Sequence, residues 1–358
     1  LFRSAGIYNT YMIPFRKNDP ERMFSMMQSA IKAVYASAYY ADSKAYMQAT
    51  KNVIDEEKMA IVIQEVVGSS YGDKFYPTIS GVGRSIDYYP LEPGVPEDGT
   101  VSLAFGLGKY IVDGGLSLRF CPRYPKNILQ TSTPELALRE TQKYFFALDV
   151  SDHELILKPN DGESLKKLNI KEAEKDKSLK PIASTYIMQD NVVRDGYNYQ
   201  GKKLVTFSNI LKHDTIPLAE VLDRILRLGE EEMGNPVEIE FAIDLKLKKG
   251  EKASLKLLQI RPVASKDESV NITDEELKKS DSLIVSRSAL GNGVINNIHD
   301  IVYVRTQNFD ASKTNEIVEY IDSLNKNFIE REENYILVGP GRWGSSDPWL
   351  GISVNWSQ

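Results

Sequence analysis

The sequence predicts a mixed α/β (α+β) fold, and three observations support it. Between Asn235 and Val263, Val237, Ile239, Phe241 and Ile243 alternate with Glu238, Glu240 and Asp244. That is the period of two of a half-buried strand. Just upstream, Leu218, Val221, Leu222, Ile225 and Leu226 recur at helical spacing. Near the C-terminus, Ile317, Val318, Ile321, Leu324 and Phe328 form one helix face between two short apolar runs. A length of 358 residues allows about two domains with a real core.

Taken in order, Asp19-Pro20-Glu21 signals a helix start: a capping Asp, Pro at the first helical position and an acid in the first turn. Met23, Met27, Ile31, Val34 and Ala38 follow at helical spacing and are expected to be core. Met59 to Val67 is mostly apolar, which predicts a buried strand. Leu91 to Gly99 is a Pro- and Gly-containing loop. Arg119 to Pro125, with Arg123, is a basic, Pro-bounded segment, and the charged stretch from Ser151 to Ser184 is expected to be solvated surface. Tyr186 to Leu211 predicts strands around an Asp195-Gly196 turn. The helix over about 216–233 ends at Gly234. Ala264 to Asp281 is polar and charged, and is the expected linker. The boundaries are then 1–263, a 264–281 linker and 282–358. The last segment predicts strand Leu283–Ser286, strand Ile301–Arg305, a helix over about Lys313–Glu330 and strand Tyr335–Val338. It ends in a Gly-rich loop, Gly339-Pro340-Gly341-Arg342-Trp343-Gly344.

The most informative stretch is the hairpin. Lys249-Gly250 is its natural tight turn. Glu240 and Gln259 are equally far from that turn, and so are Glu238 and Arg261. Directly opposed side chains share a face. One patch would then hold two carboxylates, an amide and a guanidinium. Carboxylate and amide oxygens suit Mg²⁺, and a guanidinium suits phosphate. The same residues also fit a plain solvated hairpin face with a cross-strand Glu–Arg pair.

A net charge of −6 argues against a nucleic-acid binder driven by phosphate neutralisation. No apolar run approaches the roughly 20 residues of a membrane span. Cys121 is the one cysteine, which excludes an intrachain disulfide and fits a reducing, cytoplasmic setting. His153, His213 and His299 are scattered, so neither a zinc cluster nor a Ser–His–Asp arrangement follows from them. The oligomeric state is open, a homodimer included.

Glu-Ile-Glu-Phe, a hairpin and then Leu-Gln-Ile-Arg-Pro resembles the end of the nucleotide-binding domain of the phosphoenolpyruvate synthase and pyruvate phosphate dikinase family. There the pattern is Asp-Ile-Glu-Phe/Trp followed by Leu/Val-Gln-x-Arg. The resemblance implies an ATP-grasp-like nucleotide-binding domain followed by a small α/β unit. It implies that Glu240 and Gln259 hold the Mg²⁺–ATP complex and that Arg261 contacts phosphate; Glu238 stands where the family usually has Asp. The opening Phe2-Arg3-Ser4-Ala5-Gly6 is similar to the family's Val-Arg-Ser-Ser, which makes Arg3 a second phosphate ligand. Residues 59–67 resemble the hinge strand whose end meets adenine, which implicates Gln64, Glu65 and Val67.

Ser80-Gly81-Val82-Gly83-Arg84-Ser85 is similar to the family's Ser-Gly-Val-x-Phe-Thr, and the resemblance implies that Arg84 and Ser85 could reach phosphate. Gly106-Leu107-Gly108-Lys109 resembles Gly-Leu-Gly-Glu, with Lys109 in place of the acid. In this family ATP phosphorylates a His on a separate swivelling domain, which passes the phosphoryl group to pyruvate to give phosphoenolpyruvate. No His here has that motif's context. The resemblance also implies a Gly-rich segment with an ATP-binding Lys upstream of Arg3. The expectation is therefore the ATP-binding part of a larger phosphotransferase, inactive alone. The alternative is a nucleotide-binding regulatory module without kinase activity.

Overall fold

Among the described residues four sheets order the chain, and their strands follow the alternation in the sequence. The computed structural model describes residues 8–15, 18–40, 43–44, 60–87, 90–151, 164–246, 252–263, 282–285, 295–310, 313–331, 333–341, 343, 352 and 354. The strands are β1 (Ser69–Tyr71), β2 (Lys74–Tyr76), β3 (Ile79–Arg84), β4 (Thr100–Ala104), β5 (Leu118–Phe120), β6 (Tyr144–Asp149), β7 (Leu165–Asn169), β8 (Ala183–Ile187), β9 (Val192–Asp195), β10 (Lys202–Val205), β11 (Val237–Ile243), β12 (Leu255–Pro262), β13 (Ile298–Tyr303) and β14 (Asn334–Val338). Sheet orders are β1-β2-β6-β7, β10-β8-β9, β12-β11-β3-β4-β5 and β13-β14. The chain divides into two units, residues 1–264 with 286–290, and residues 265–285 with 291–358.

In the first unit one apolar cluster spans the sheets. Its centre is aromatic: Tyr76, Phe105 and Phe145 meet with ring centroids 4.9–5.3 Å apart. Val237, Ile239, Phe241 and Ile243 project from β11 into the same cluster, which is what the period of two requires. The helix Leu218–Met233 packs on β11 and ends at Gly234, whose φ of 63° is the left-handed turn that glycine takes most easily. Its buried residues are Leu218, Leu222, Leu226 and Gly229, whereas Val221 is exposed, one step off the stripe. At Gly229 the helix comes so close that a Cβ would lie 2.8 Å from Ile260 and 3.1 Å from Val237. This contact presses the helix onto both strands of the hairpin.

Several expectations are corrected. Residues 60–68 form no strand, and Val62 is 87% exposed. An apolar run becomes a buried strand only when a neighbour supplies its backbone hydrogen bonds. Among the described residues no strand pairs with this one. Asp195-Gly196 is not a hairpin turn: β9 pairs with β8, not β10, and the β8–β9 turn is Met188–Asn191. Gly196 instead begins the crossing that returns the chain to the far side of β8. The helix Pro20–Ser37 starts as expected, with the Asp19 carboxylate accepting from Arg22 N at 3.0 Å. Its Met-containing stripe is only half-covered.

The second unit carries β13 and β14 in parallel, joined through the helix Thr314–Glu330. Ile321 and Phe328 are the buried residues of the expected apolar face, and Phe328 stacks on Tyr335 at 4.5 Å. Leu283 to Val285 is not a strand, and Leu283 is 86% exposed; Ser286 lies outside the described residues. The Gly339 backbone runs against the Trp343 ring, where a Cβ would be 2.6 Å away. Arg342 lies outside the described residues.

Candidate nucleotide-binding site

The five-stranded sheet has an apolar face and a polar one. On the polar face Arg261, Glu238, Arg84 and Thr100 form a single cross-strand row, because β12 opposes β11 at 261–238, β11 opposes β3 at 238–84 and β3 opposes β4 at 84–100. Two residues further along β11, Glu240 faces Gln259 on one side and Val82 on the other. The hairpin thus brings together the two carboxylates, the amide and the guanidinium expected from the sequence.

β11 stops at Ile243 and β12 resumes at Leu255; the expected turn at Lys249-Gly250 lies outside the described residues. There is also an irregularity after Glu240, where Phe241 opposes Leu257 rather than Leu258. This is a β-bulge, one extra residue on β12. Its effect is a change of face. Leu255 and Ile260 are an odd number apart, yet both lie against the core, opposite Ile243 and Ile239. Without the extra residue, Leu255 and Leu257 would share the polar face with Gln259.

Glu238 is 6% exposed and fully engaged. Its Oε2 accepts from Arg84 Nε at 2.6 Å. Its Oε1 accepts from Arg261 Nε at 2.9 Å and from an Arg261 Nη. Burial alone pushes its carboxyl up, but the Arg261 and Arg84 hydrogen bonds and charges outweigh this and hold it below the ordinary carboxylate range. Glu240 is the opposite case. It is half-buried and makes no hydrogen bond or ion pair among the described residues. Burial first, then the charge of Glu238, push its carboxyl up, and Arg261 opposes this only in part. Gln259 is exposed and likewise makes no hydrogen bond among the described residues. A carboxylate and an amide oxygen side by side, neither committed, match the donor set of Mg²⁺, which keeps several waters and takes its remaining ligands from phosphate. No group of three His, Cys, Asp or Glu that could hold a metal occurs among the described residues, so an all-protein cage is not what this face offers.

Residues 3–281 match the family model described as pyruvate phosphate dikinase, AMP/ATP-binding domain. The chain belongs to that family. No curated protein matches it. The pyruvate phosphate dikinase-type domain binds nucleotide and has the mixed α/β, ATP-grasp-like fold, as its helices and antiparallel sheets attest. No described helix is long and apolar enough to cross a membrane.

The other sequence-derived residues are distributed as follows. Gln64 reaches the hairpin: its Nε2 donates to the carbonyl of Leu258, the bulged residue, at 3.1 Å. Glu65 is exposed and Val67 half-buried, both in the irregular stretch before β1. Arg3 lies outside the described residues. Lys109 pairs with Asp113 at 3.0 Å on the surface rather than reaching towards the hairpin face. Ser85 is not available to phosphate. It is buried, its Oγ accepts from Val237 N at 2.9 Å, and its own N–H donates to Val237 O at 2.9 Å. Ser85→Ala should therefore lower stability by about 1–2 kcal/mol through an unsatisfied buried N–H. ATP affinity should stay within twofold, as urea unfolding and calorimetric titration would show.

Sequence reasoning missed how Arg119 and Arg123 are held. Arg119 donates to Thr100 Oγ1 at 3.0 Å and to buried Asp87, and Arg123 Nη1 donates to buried Asp98 at 2.6 Å. The signal was a basic segment preceded at no fixed spacing by its acids, which a linear reading cannot pair.

Proposed function

We propose that this chain is the ATP-binding part of a phosphotransferase of the phosphoenolpyruvate synthase and pyruvate phosphate dikinase type. ATP loads with Mg²⁺ on the polar face of the hairpin. Glu240 and Gln259 hold the metal, Arg261 and Arg3 take phosphate oxygens, and Gln64, Glu65 and Val67 line the adenine. Bound Mg²⁺ supplies charge neutralisation on the phosphates. The protein's part is positioning, which carries most of phosphoryl-transfer catalysis. The phosphoryl group then goes to a His on another domain and on to pyruvate. In this reading 1–263 is the nucleotide domain, 264–281 a linker and 282–358 a small α/β unit of a cytoplasmic protein.

The observation that supports the reading most is the uncommitted Glu240 carboxylate directly opposite Gln259. A half-buried carboxylate with no partner is unfavourable in the empty protein, and a cation removes the cost. The test is a calorimetric titration of the full chain with ATP, with and without Mg²⁺, beside Gln259→Ala. Wild type should bind more tightly with Mg²⁺, and Gln259→Ala should lose most of that gain while keeping its metal-free affinity. Equal affinity for the two proteins in Mg²⁺ would remove Gln259 from the site.

A further inference from the structure

We propose that Arg84 is a further phosphate-contacting guanidinium of this site, and that Glu238 is the positioning residue that holds it beside Arg261. The inference rests on the reading just given, and adds to it a residue from a different strand and a role for the second acid.

The first argument is charge. Glu238 neutralises one cation, and two are bound to it. Neither Arg84 nor Arg261 has another ion pair among the described residues. The row therefore carries an excess positive charge, and it does so at the surface, with the Arg84 side chain 50% exposed. A purely structural clamp on a buried carboxylate needs only one guanidinium.

The second argument is valence. Arg84 reaches Glu238 through Nε alone, which leaves both Nη groups without a partner among the described residues. Arg261 spends Nε and one Nη on Oε1, which leaves its other Nη. The two heads grip opposite oxygens of a single carboxylate, so their unspent N–H groups lie on either side of it. A guanidinium offers its donors in a planar fork that fits phosphate oxygens. Two forks yoked this closely match adjacent phosphates of one chain better than a single carboxylate ligand.

The third argument separates the two acids. Both oxygens of Glu238 already accept hydrogen bonds from guanidinium, so a metal there would meet two adjacent positive charges. Glu240 has no such ties. The two acids, two residues apart on one strand, thus divide the work: one holds arginines, the other is left for the cation.

Calorimetric titration of the full chain with ATP–Mg²⁺ and with AMP tests this in wild type, Arg84→Gln, Arg84→Lys and Glu238→Gln, with thermal melting of each ligand-free protein. Arg84→Gln should weaken ATP at least tenfold and AMP less than twofold, with only a small fall in melting point, since Arg261 still holds Glu238. Arg84→Lys, which keeps the charge without the fork, should fall between. Glu238→Gln should weaken ATP but keep the wild-type ratio of affinities with and without Mg²⁺. Wild-type ATP affinity in Arg84→Gln overturns the proposal while leaving the nucleotide site standing. Equal loss of ATP and AMP with a large fall in melting point makes Arg84 structural and also overturns it. A Glu238→Gln protein that loses its Mg²⁺ dependence makes Glu238 a metal ligand and overturns its positioning role. Should wild type fail to bind ATP, inorganic tripolyphosphate reads the arginine pair alone. Binding by wild type but not by Arg84→Gln upholds the pair, and binding by neither sinks both readings.

Discussion

Phe241→Ala should destabilise the protein by about 3–5 kcal/mol, the usual cost of emptying an aromatic core site. Phe241 is 1% exposed and lies in the middle of β11. Its ring sits directly over Gly81 on β3, its cross-strand partner, where an added Cβ would fall 2.2 Å from ring atom Cζ. The glycine of Ser-Gly-Val-Gly is therefore a space requirement: β3 and β11 can pair there only because no side chain stands under the ring. Gly81→Ala should cost about 1–3 kcal/mol by overpacking. In a Phe241→Leu background the same change should cost less, since the two substitutions share a contact. Urea unfolding of the two single variants and the double gives the coupling. A Gly81→Ala protein with the wild-type midpoint would contradict this packing. Function should follow stability here, since this pairing also joins Arg84 to Glu238.

Glu240→Gln should do two opposite things: raise the stability of the ligand-free protein and abolish the Mg²⁺ contribution to ATP binding. The Glu240 carboxyl is pushed up by burial and by Glu238. A raised pKa means that folding favours the neutral form. Its contribution is complete below the unfolded value of about 4.3 and is lost as pH rises through the folded value. At pH 7 to 8 wild type carries the full penalty and the amide carries none. The melting-point gain of Glu240→Gln should therefore grow from about pH 4 towards neutrality and then level off. Glu238 has the reverse sign: its carboxyl is held low, so its contribution is present above the unfolded value and lost as pH falls through the folded one. Melting across a pH series, for wild type and each variant, distinguishes the two. If Glu240→Gln melts below wild type at pH 8, the carboxylate is satisfied in the empty protein, and the case for a waiting metal ligand is lost.

The parts of the molecule that were legible in the sequence are those in which pattern and partner lie close together. The pairs 238–261 and 240–259 followed from a hairpin, since both strands belong to one local unit. The helix ending at Gly234 followed from its stripe and its stop signal. The bulge had a signal, the doublet Leu257-Leu258, but alternation is read strand by strand and a change of face is a property of the pair. The run at 60–67 misled because apolar content says nothing about whether a neighbouring strand exists. The pairing of β3 with β11 left no local trace, and with it went the shared grip on Glu238. Ser85 misled for a related reason: a hydroxyl next to a glycine-rich strand looks available until the strand it latches is known.

Arg84 and Glu238 are 154 residues apart in the chain, and β3 is the middle strand of its sheet. During synthesis β3, β4 and β5 leave the ribosome long before β11 exists. Pairings between such distant segments form late and slowly. Until then the nascent chain would show one bare border of β3, an invitation to misassociate. If nucleotide binds where we propose, it cannot rescue that interval, because the surface it would grip is completed only by the β11–β12 hairpin. Chaperone demand for this protein should therefore fall on the half-made sheet, whatever the concentration of ATP around it.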